Sequence, residues 1–141
     1  MTEWLAQMMF VQMVRAYLAT APVDARWLRA LGDEVIDAAI RSIHGEPARR
    51  WTVAGLAGAA GMSRSTFAAR FKDVVGLAPL EYTLRWRMWL ARRALATSEA
   101  TMAAIASGIG YDSESSFSAA FKRTSGFAPS HFREAHRRDR A

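Results

Sequence analysis

The chain contains no cysteine, which excludes disulfides, iron–sulfur clusters and thiolate-rich zinc sites and fits a reducing compartment. Its histidines, His44, His131 and His136, are too widely spaced for a metal-ligand pattern. No serine lies in a nucleophile motif, and the glycines do not make a phosphate loop. Strand-like alternation of useful length and low-complexity sequence are both missing. The opening stretch, MTEWLAQMMFVQMVRAYL, lacks a basic region ahead of its apolar run and a clear cleavage site. Gln7, Gln12 and Arg15 interrupt it, so it is too short and mixed to span a bilayer. These absences point away from an enzyme, a cofactor and a membrane association, and toward a cytoplasmic all-α protein.

What is there suits a folded chain. Of 141 residues, 51% are hydrophobic and 23% charged, enough for one domain or two small ones. The net charge of +6 is unevenly placed. Residues 1–50 carry six arginines and six acids, whereas residues 51–141 carry 13 basic and seven acidic residues and hold the whole excess. Such a field favours a polyanionic partner.

A local pattern occurs twice. Val53–Tyr82 reads VAGLAGAAGMSRSTFAARFKDVVGLAPLEY, and Met102–Phe132 reads MAAIASGIGYDSESSFSAAFKRTSGFAPSHF. Phe67, Phe71, Lys72, Gly76, Ala78 and Pro79 recur 50 residues later as Phe117, Phe121, Lys122, Gly126, Ala128 and Pro129. Ala57 and Gly61 recur 49 residues later as Ala106 and Gly110, so the one-residue difference falls in a turn, Met62 against Tyr111-Asp112. A duplicated two-helix device that varies in length only at its turn has the grammar of a helix-turn-helix.

The helical spacing predicts each element. Glu3–Ala19 forms an apolar-faced helix, with Trp4, Leu5, Met8, Met9, Val11, Val14, Tyr17 and Leu18 on the face, ending at Thr20-Ala21-Pro22. That face needs a partner: the rest of this chain, a second copy or another domain. Asp24–Ile43 reads as one interrupted or two adjacent helices, broken at Gly32 and capped by Asp33, with Val35, Ile36, Ala39, Ile40 and Ile43 buried. Thr52, Ser63, Thr101 and Ser113 are placed to cap helices, while Gly61, Gly76, Gly110 and Gly126 end or turn them. Pro79 and Pro129 open helices, and Glu81–Ala96 is a long one carrying Tyr82, Trp86, Trp89, Leu90 and Leu95 inward. Phe132 packs inward, and the tail REAHRRDRA frays.

In such a device the first helix braces the second, whose polar N-terminal part can enter a major groove. Ala57 and Ala106 permit the close crossing. The candidate base-reading residues are Arg64, Ser65, Thr66 and Ala68 in the first unit and Glu114, Ser115, Ser116 and Ala119 in the second. Arg70, Lys72, Arg85, Arg87, Arg92, Lys122, Arg123, Arg133, Arg137 and Arg138 form the pool for phosphate contacts. Residues 81–96, about 24 Å of helix, could hold the two reading helices against major grooves about 34 Å apart.

At these residues the chain resembles the C-terminal DNA-binding domain of the AraC/XylS family of bacterial transcription regulators, over residues 33–138 and most closely at GIGYDSESSFSAAFKRTSGFAPSHFR, Gly108 to Arg133. The resemblance implies seven helices, two helix-turn-helix units, a linker helix, double-stranded DNA as partner and regulation of transcription, with RNA polymerase a candidate partner. It adds Ala69 to the base-reading positions, beside Ser65, Ala68, Glu114, Ser115, Ser116 and Ala119. It divides the chain into an N-terminal helical segment (1–32), a first helix-turn-helix subdomain (33–80), a linker helix (81–96), and a second subdomain with a basic tail (97–141). Residues 1–32 resemble the segment that joins a cupin-type sensor to this domain in some relatives, so residues 4–18 are expected to meet such a sensor or a second copy. The competing expectation is a helical protein–protein interaction module without direct DNA readout.

Overall fold

The computed structural model describes Glu3, Gln7, Met9, Phe10, Val11 and Met13, all helical, and residues 33–140. The expected chain break at Gly32, the helix end at Thr20-Ala21-Pro22 and the apolar residues Trp4, Leu5, Met8, Val14, Tyr17 and Leu18 lie outside the described residues. Across 33–140 the chain forms seven helices: α1 Glu34–Gly45, α2 Val53–Ala59, α3 Arg64–Val75, α4 Pro79–Thr97, α5 Met102–Gly108, α6 Glu114–Ser125 and α7 Pro129–Arg138. The fold is all-α, with two helix-turn-helix units.

The helices begin where the short polar side chains stand. Thr52 accepts from the Gly55 N–H at 2.9 Å and Thr101 from the Ala104 N–H at 3.1 Å. Ser63 and Ser113 do the same for Thr66 and Ser116, each cap worth about 1 kcal/mol. The turns also match. Gly61 (φ 67°) and Gly110 (φ 90°) both take the left-handed conformation. The next residue's N–H, from Met62 or Tyr111, then reaches back to the carbonyl of Ala57 or Ala106, at 2.9 Å each. That bond satisfies a carbonyl the helix end would otherwise leave free.

Two cores result. Ile36, Ala39, Ile43, Leu56, Ala57, Phe67, Phe71 and Trp86 make the first. Met88, Ala91, Leu95, Ile105, Ala106, Ile109, Phe117, Ala120 and Phe121 make the second. The phenylalanine ladders are near copies: Phe67–Phe71 and Phe117–Phe121 both stand 5.8 Å apart, and Phe71 and Phe121 each meet a further ring, Tyr82 or Phe132, edge-on. Val35 and Ile40, expected in the core, are only half-buried.

Helix α4 belongs to both units. Its buried Met88, Ala91 and Leu95 repeat the spacing of Ile36, Ala39 and Ile43 on α1. Its first half, opened by buried Pro79, instead parallels α7, opened by buried Pro129. It is thus the last helix of one unit and the first of the next, and Leu90 packs against both cores. The expected linker, 81–96, is a stretch of this longer helix, which at 19 residues is about 28 Å long. The tail does not fray where expected: α7 continues through Arg138, with the His136 ring 4.2 Å from that of Phe132 and Arg137 paired with Glu99.

Phe10 packs on α4, its ring 5.0 Å from Trp89 and 6.1 Å from Trp86, so at this point the N-terminal helix takes the rest of the chain as its partner. Met9, Val11 and Met13 are exposed. Behind Trp86, the His44 ring stacks at 3.8 Å and its Nε2 lies 2.7 Å from the Tyr82 hydroxyl. Burial pulls the His44 pKa below its ordinary value and pushes Tyr82 up to about 12. A neutral imidazole accepting from a protonated phenol satisfies both shifts.

Two outcomes are expected. The unfolded chain binds a proton at histidine near pH ~6.5, where folded His44 resists one. Its contribution is therefore complete above that pH and is lost as pH falls through the depressed folded value. Thermal melts should show Tm dropping on acidification from pH ~7.5 to below ~6, and His44→Gln should flatten that limb; an unflattened limb places the titration elsewhere. The turns differ in what surrounds them. A Cβ at Gly110 would stand 2.6 Å from the Ala48 carbonyl oxygen, whereas at Gly61 nothing lies within 4 Å. Gly61→Ala should cost about 1–2 kcal/mol of backbone strain. Gly110→Ala should cost about 1–3 kcal/mol more through overpacking. Equal losses in chemical denaturation would remove Ala48 as the constraint.

Candidate nucleic-acid interface

On α3 the ladder Phe67–Phe71 faces inward, which leaves Ser65, Ala69 and Lys72 as an exposed stripe at helical spacing. On α6 the same geometry exposes Ser115, Ala119 and Lys122. Each stripe runs from the positive end of its helix dipole to a lysine. The flanks differ in sign: exposed Arg64 begins α3 and exposed Glu114 begins α6. Arg64 has no hydrogen bond or ion pair among the described residues.

The hydroxyls divide into two kinds. Ser63 Oγ donates to Thr66 Oγ1 at 2.9 Å while accepting from the Thr66 N–H, and Ser113 treats Ser116 the same way at 2.9 Å. Ser116 Oγ also donates to the Ser113 carbonyl. Thr66 and Ser116, both candidate base readers, are therefore tied into the caps. Ser65 and Ser115 stand farther from the cap serines, at 3.5 and 3.3 Å, and remain available. Ala68 is half-buried and Ala69 exposed, so Ala69 is the outward position of that pair.

The phosphate candidates also separate. Arg70 forks onto Asp33, with Nε and Nη2 at 2.8 and 3.0 Å from its two carboxylate oxygens. Asp33 in turn caps α1 through the N–H groups of Val35 and Ile36. Burial alone would raise the Asp33 pKa, but Arg70 and these N–H groups outweigh it and hold the carboxyl below its ordinary value. Arg87 is half-buried and donates to the carbonyls of Pro47 (2.9 Å) and Arg49 (2.7 Å). Arg70 and Arg87 thus each have two donors engaged within the chain. Arg85 pairs with Glu81, and Arg137 with Glu99. Arg133 is half-buried, and its Nε and Nη2 are covered without a hydrogen-bond partner. Lys72, Arg92, Lys122, Arg123 and Arg138 are exposed and carry no ion pair among the described residues.

One part of the surface escaped the sequence reading. The loop 46–52 lies against the second unit: Arg50 pairs with Asp112 at 2.6 Å, and the Ala48 backbone abuts Gly110. The signal for it was the extra residue, Asp112, in the second turn. Among the described residues no three His, Asp or Glu side chains are placed to hold a metal ion, and no helix is long and apolar enough to cross a membrane.

Known proteins share this architecture. Residues 56–135 match a family model described as a helix-turn-helix domain. The chain is 50% identical over 133 residues to a protein of Streptomyces lividans named as an AraC-like transcription regulator, a match covering 94% of this chain and 44% of that one. It is 38% identical over 132 residues to the HTH-type transcriptional regulator AlkR of Acinetobacter baylyi, covering 94% of this chain and 43% of AlkR. The chain thus spans less than half the length of these relatives. Among solved structures, the DNA-binding domain of the global transcriptional factor AdpA, in complex with a target DNA, superposes with a TM-score of 0.72 at 30% identity, covering 77% of this chain and 97% of that domain. By these matches in sequence and fold, the chain belongs to the AraC/XylS family of helix-turn-helix transcriptional regulators and carries its DNA-binding domain.

Proposed function

We propose that this chain recognises specific duplex DNA by setting the N-terminal halves of α3 and α6 into two successive major grooves, and that it regulates transcription from such sites. The observation that carries this reading is the pair of matching exposed stripes, Ser65–Ala69–Lys72 and Ser115–Ala119–Lys122. A helix presenting a small hydroxyl, a methyl and a terminal cation has the groups to approach a groove floor and anchor on its rim. The AdpA domain is seen with its target DNA, and its likeness to this chain supports the same use here.

The flanking charges give the two units different tasks. Arg64 has the donors to bind the O6/N7 edge of guanine, and Glu114 can accept from a cytosine amine. Ala69 and Ala119 offer methyl groups to thymine. Lys72, Lys122 and Arg123 supply phosphate contacts, joined by Arg92 and Arg138 where the duplex bends toward them. Arg70 and Arg87 rank below these as phosphate contacts, because two donors of each are engaged within the chain.

Selection from a random duplex pool, followed by titration across salt, tests the reading. It should enrich a site with two elements about 10–11 base pairs apart, bound more weakly as salt rises. Arg64→Ala should lose about 1–3 kcal/mol at one base pair and relax preference there. Lys72→Ala and Lys122→Ala should weaken all sequences alike, each lowering the salt slope by about one. Unaltered preference in folded Arg64→Ala would remove Arg64 from base reading, and no enriched site for the folded chain would count against the whole proposal.

A further inference from the structure

The two units match closely enough to serve as controls for one another, and the lengths of their connections differ in two places. The loop between α1 and α2 spans residues 46–52, seven residues, whereas its counterpart between α4 and α5 spans 98–101, four residues. The second helix-turn-helix turn carries one extra residue, Asp112, ahead of its capping Ser113. These two departures touch. Arg50 of the longer loop pairs with Asp112 at 2.6 Å, and the Ala48 backbone lies so close to Gly110 that a Cβ there would meet it at 2.6–3.1 Å. At Gly61, the matching turn position of the first unit, nothing lies within 4 Å. Arg87 of α4 then holds the loop from beneath, through the carbonyls of Pro47 and Arg49.

We propose that the 46–52 loop is a spacer wedged between the units, held by Arg87 and seated on the Gly110–Asp112 turn, and that it sets the rise and rotation between α3 and α6 and so the half-site spacing the protein accepts. This rests on the two-groove reading above. The contacts are unequal in weight. Arg50 and Asp112 are both about four-fifths exposed, and such pairs contribute little. Arg87 is half-buried and its two bonds are charge-assisted, so it carries more of the hold. The Gly110 contact sets the distance of closest approach, because both partners there are backbone. Helix α4 alone fixes how far apart the units sit along its axis, but it leaves each free to rock about it; the wedge restrains that motion. Changing the half-site spacing by one base pair turns one element by about 34–36° relative to the other. A rigid reader must meet that turn by deforming the duplex.

The absence of cysteine allows a direct test. Lys72→Cys and Lys122→Cys, both on exposed sites, take spin labels, and the distance between labels is measured without DNA. The parent should give one narrow distribution, and Arg87→Gln with Asp112→Ala should broaden it while helix content stays the same. If that pair lowers helix content, Arg50→Ala with Asp112→Ala is measured instead and should broaden the distribution less. Unlabelled proteins are then titrated with duplexes whose two elements are set at the selected spacing and one base pair either side. The parent should discriminate by about tenfold or more, and the loosened variant by less than about threefold. An unchanged distance distribution in the folded variants overturns the wedge whether or not DNA is bound. A broadened distribution with undiminished spacing discrimination overturns its role in recognition. Failure of the parent to bind paired elements at all defeats the two-groove reading, while the label distances still judge the wedge.

Discussion

Trp86 and Met88 stand two residues apart on one helix and are buried in different cores. A helix normally offers one apolar stripe to one core. Helix α4 offers successive parts of its surface to two, with Leu90 touching both. The separation of α3 and α6 along the α4 axis follows from this. Helix α3 is braced by α2 and by the face of α4 that carries Tyr82, Trp86 and Trp89, and α6 by α5 and the face that carries Leu84, Met88, Ala91 and Leu95, so both are referred to one rod. The duplication therefore yields seven helices where two free-standing four-helix units would need eight. Burial on this rod, rather than any surface ion pair, supplies the larger part of the hold: a core phenylalanine such as Phe71 or Phe121 is worth about 3–5 kcal/mol against truncation, an exposed pair about 0–1.

Within this frame the units differ on their outer faces. Their caps, turns and ring ladders coincide, while the residue that begins α3 differs in sign from the one that begins α6, Arg64 against Glu114. The inner scaffold repeats and the outer face diverges.

Much of the fold was legible in the sequence because its signals are local. Caps at Thr52, Ser63, Thr101 and Ser113, turns at Gly61 and Gly110, and the paired phenylalanines each declare themselves within a few residues. The stripes Ser65–Ala69–Lys72 and Ser115–Ala119–Lys122 follow once the phenylalanines are turned inward. Arginine roles were not legible. Arg70 and Arg87 have the same composition and helical setting as Arg85 or Arg92, and only the tertiary position of Asp33 and of the Pro47 and Arg49 carbonyls draws them in. The cap bonds of Thr66 and Ser116 were not legible either, because a cap serine can reach two atoms of the residue three positions on. The shared use of α4 was hidden for another reason. The match of Ile36, Ala39 and Ile43 to Met88, Ala91 and Leu95 runs at an offset of 52 residues, out of step with the 50-residue repeat.

That shared helix has a consequence for how the molecule comes apart. Melting the second unit would strip Met88, Ala91 and Leu95 of their cover, and fraying that half of α4 would loosen Trp86 and Tyr82 in the first. The units are then not separate foldons, as beads on a string would be, but one cooperative block in which losing either end lowers the free energy of opening for the other. A protease that nicks the 98–101 connection would part α5–α7 from the helix that covers their core and leave Met88, Ala91 and Leu95 bare on the α1–α4 fragment, so cleavage there would weaken both halves.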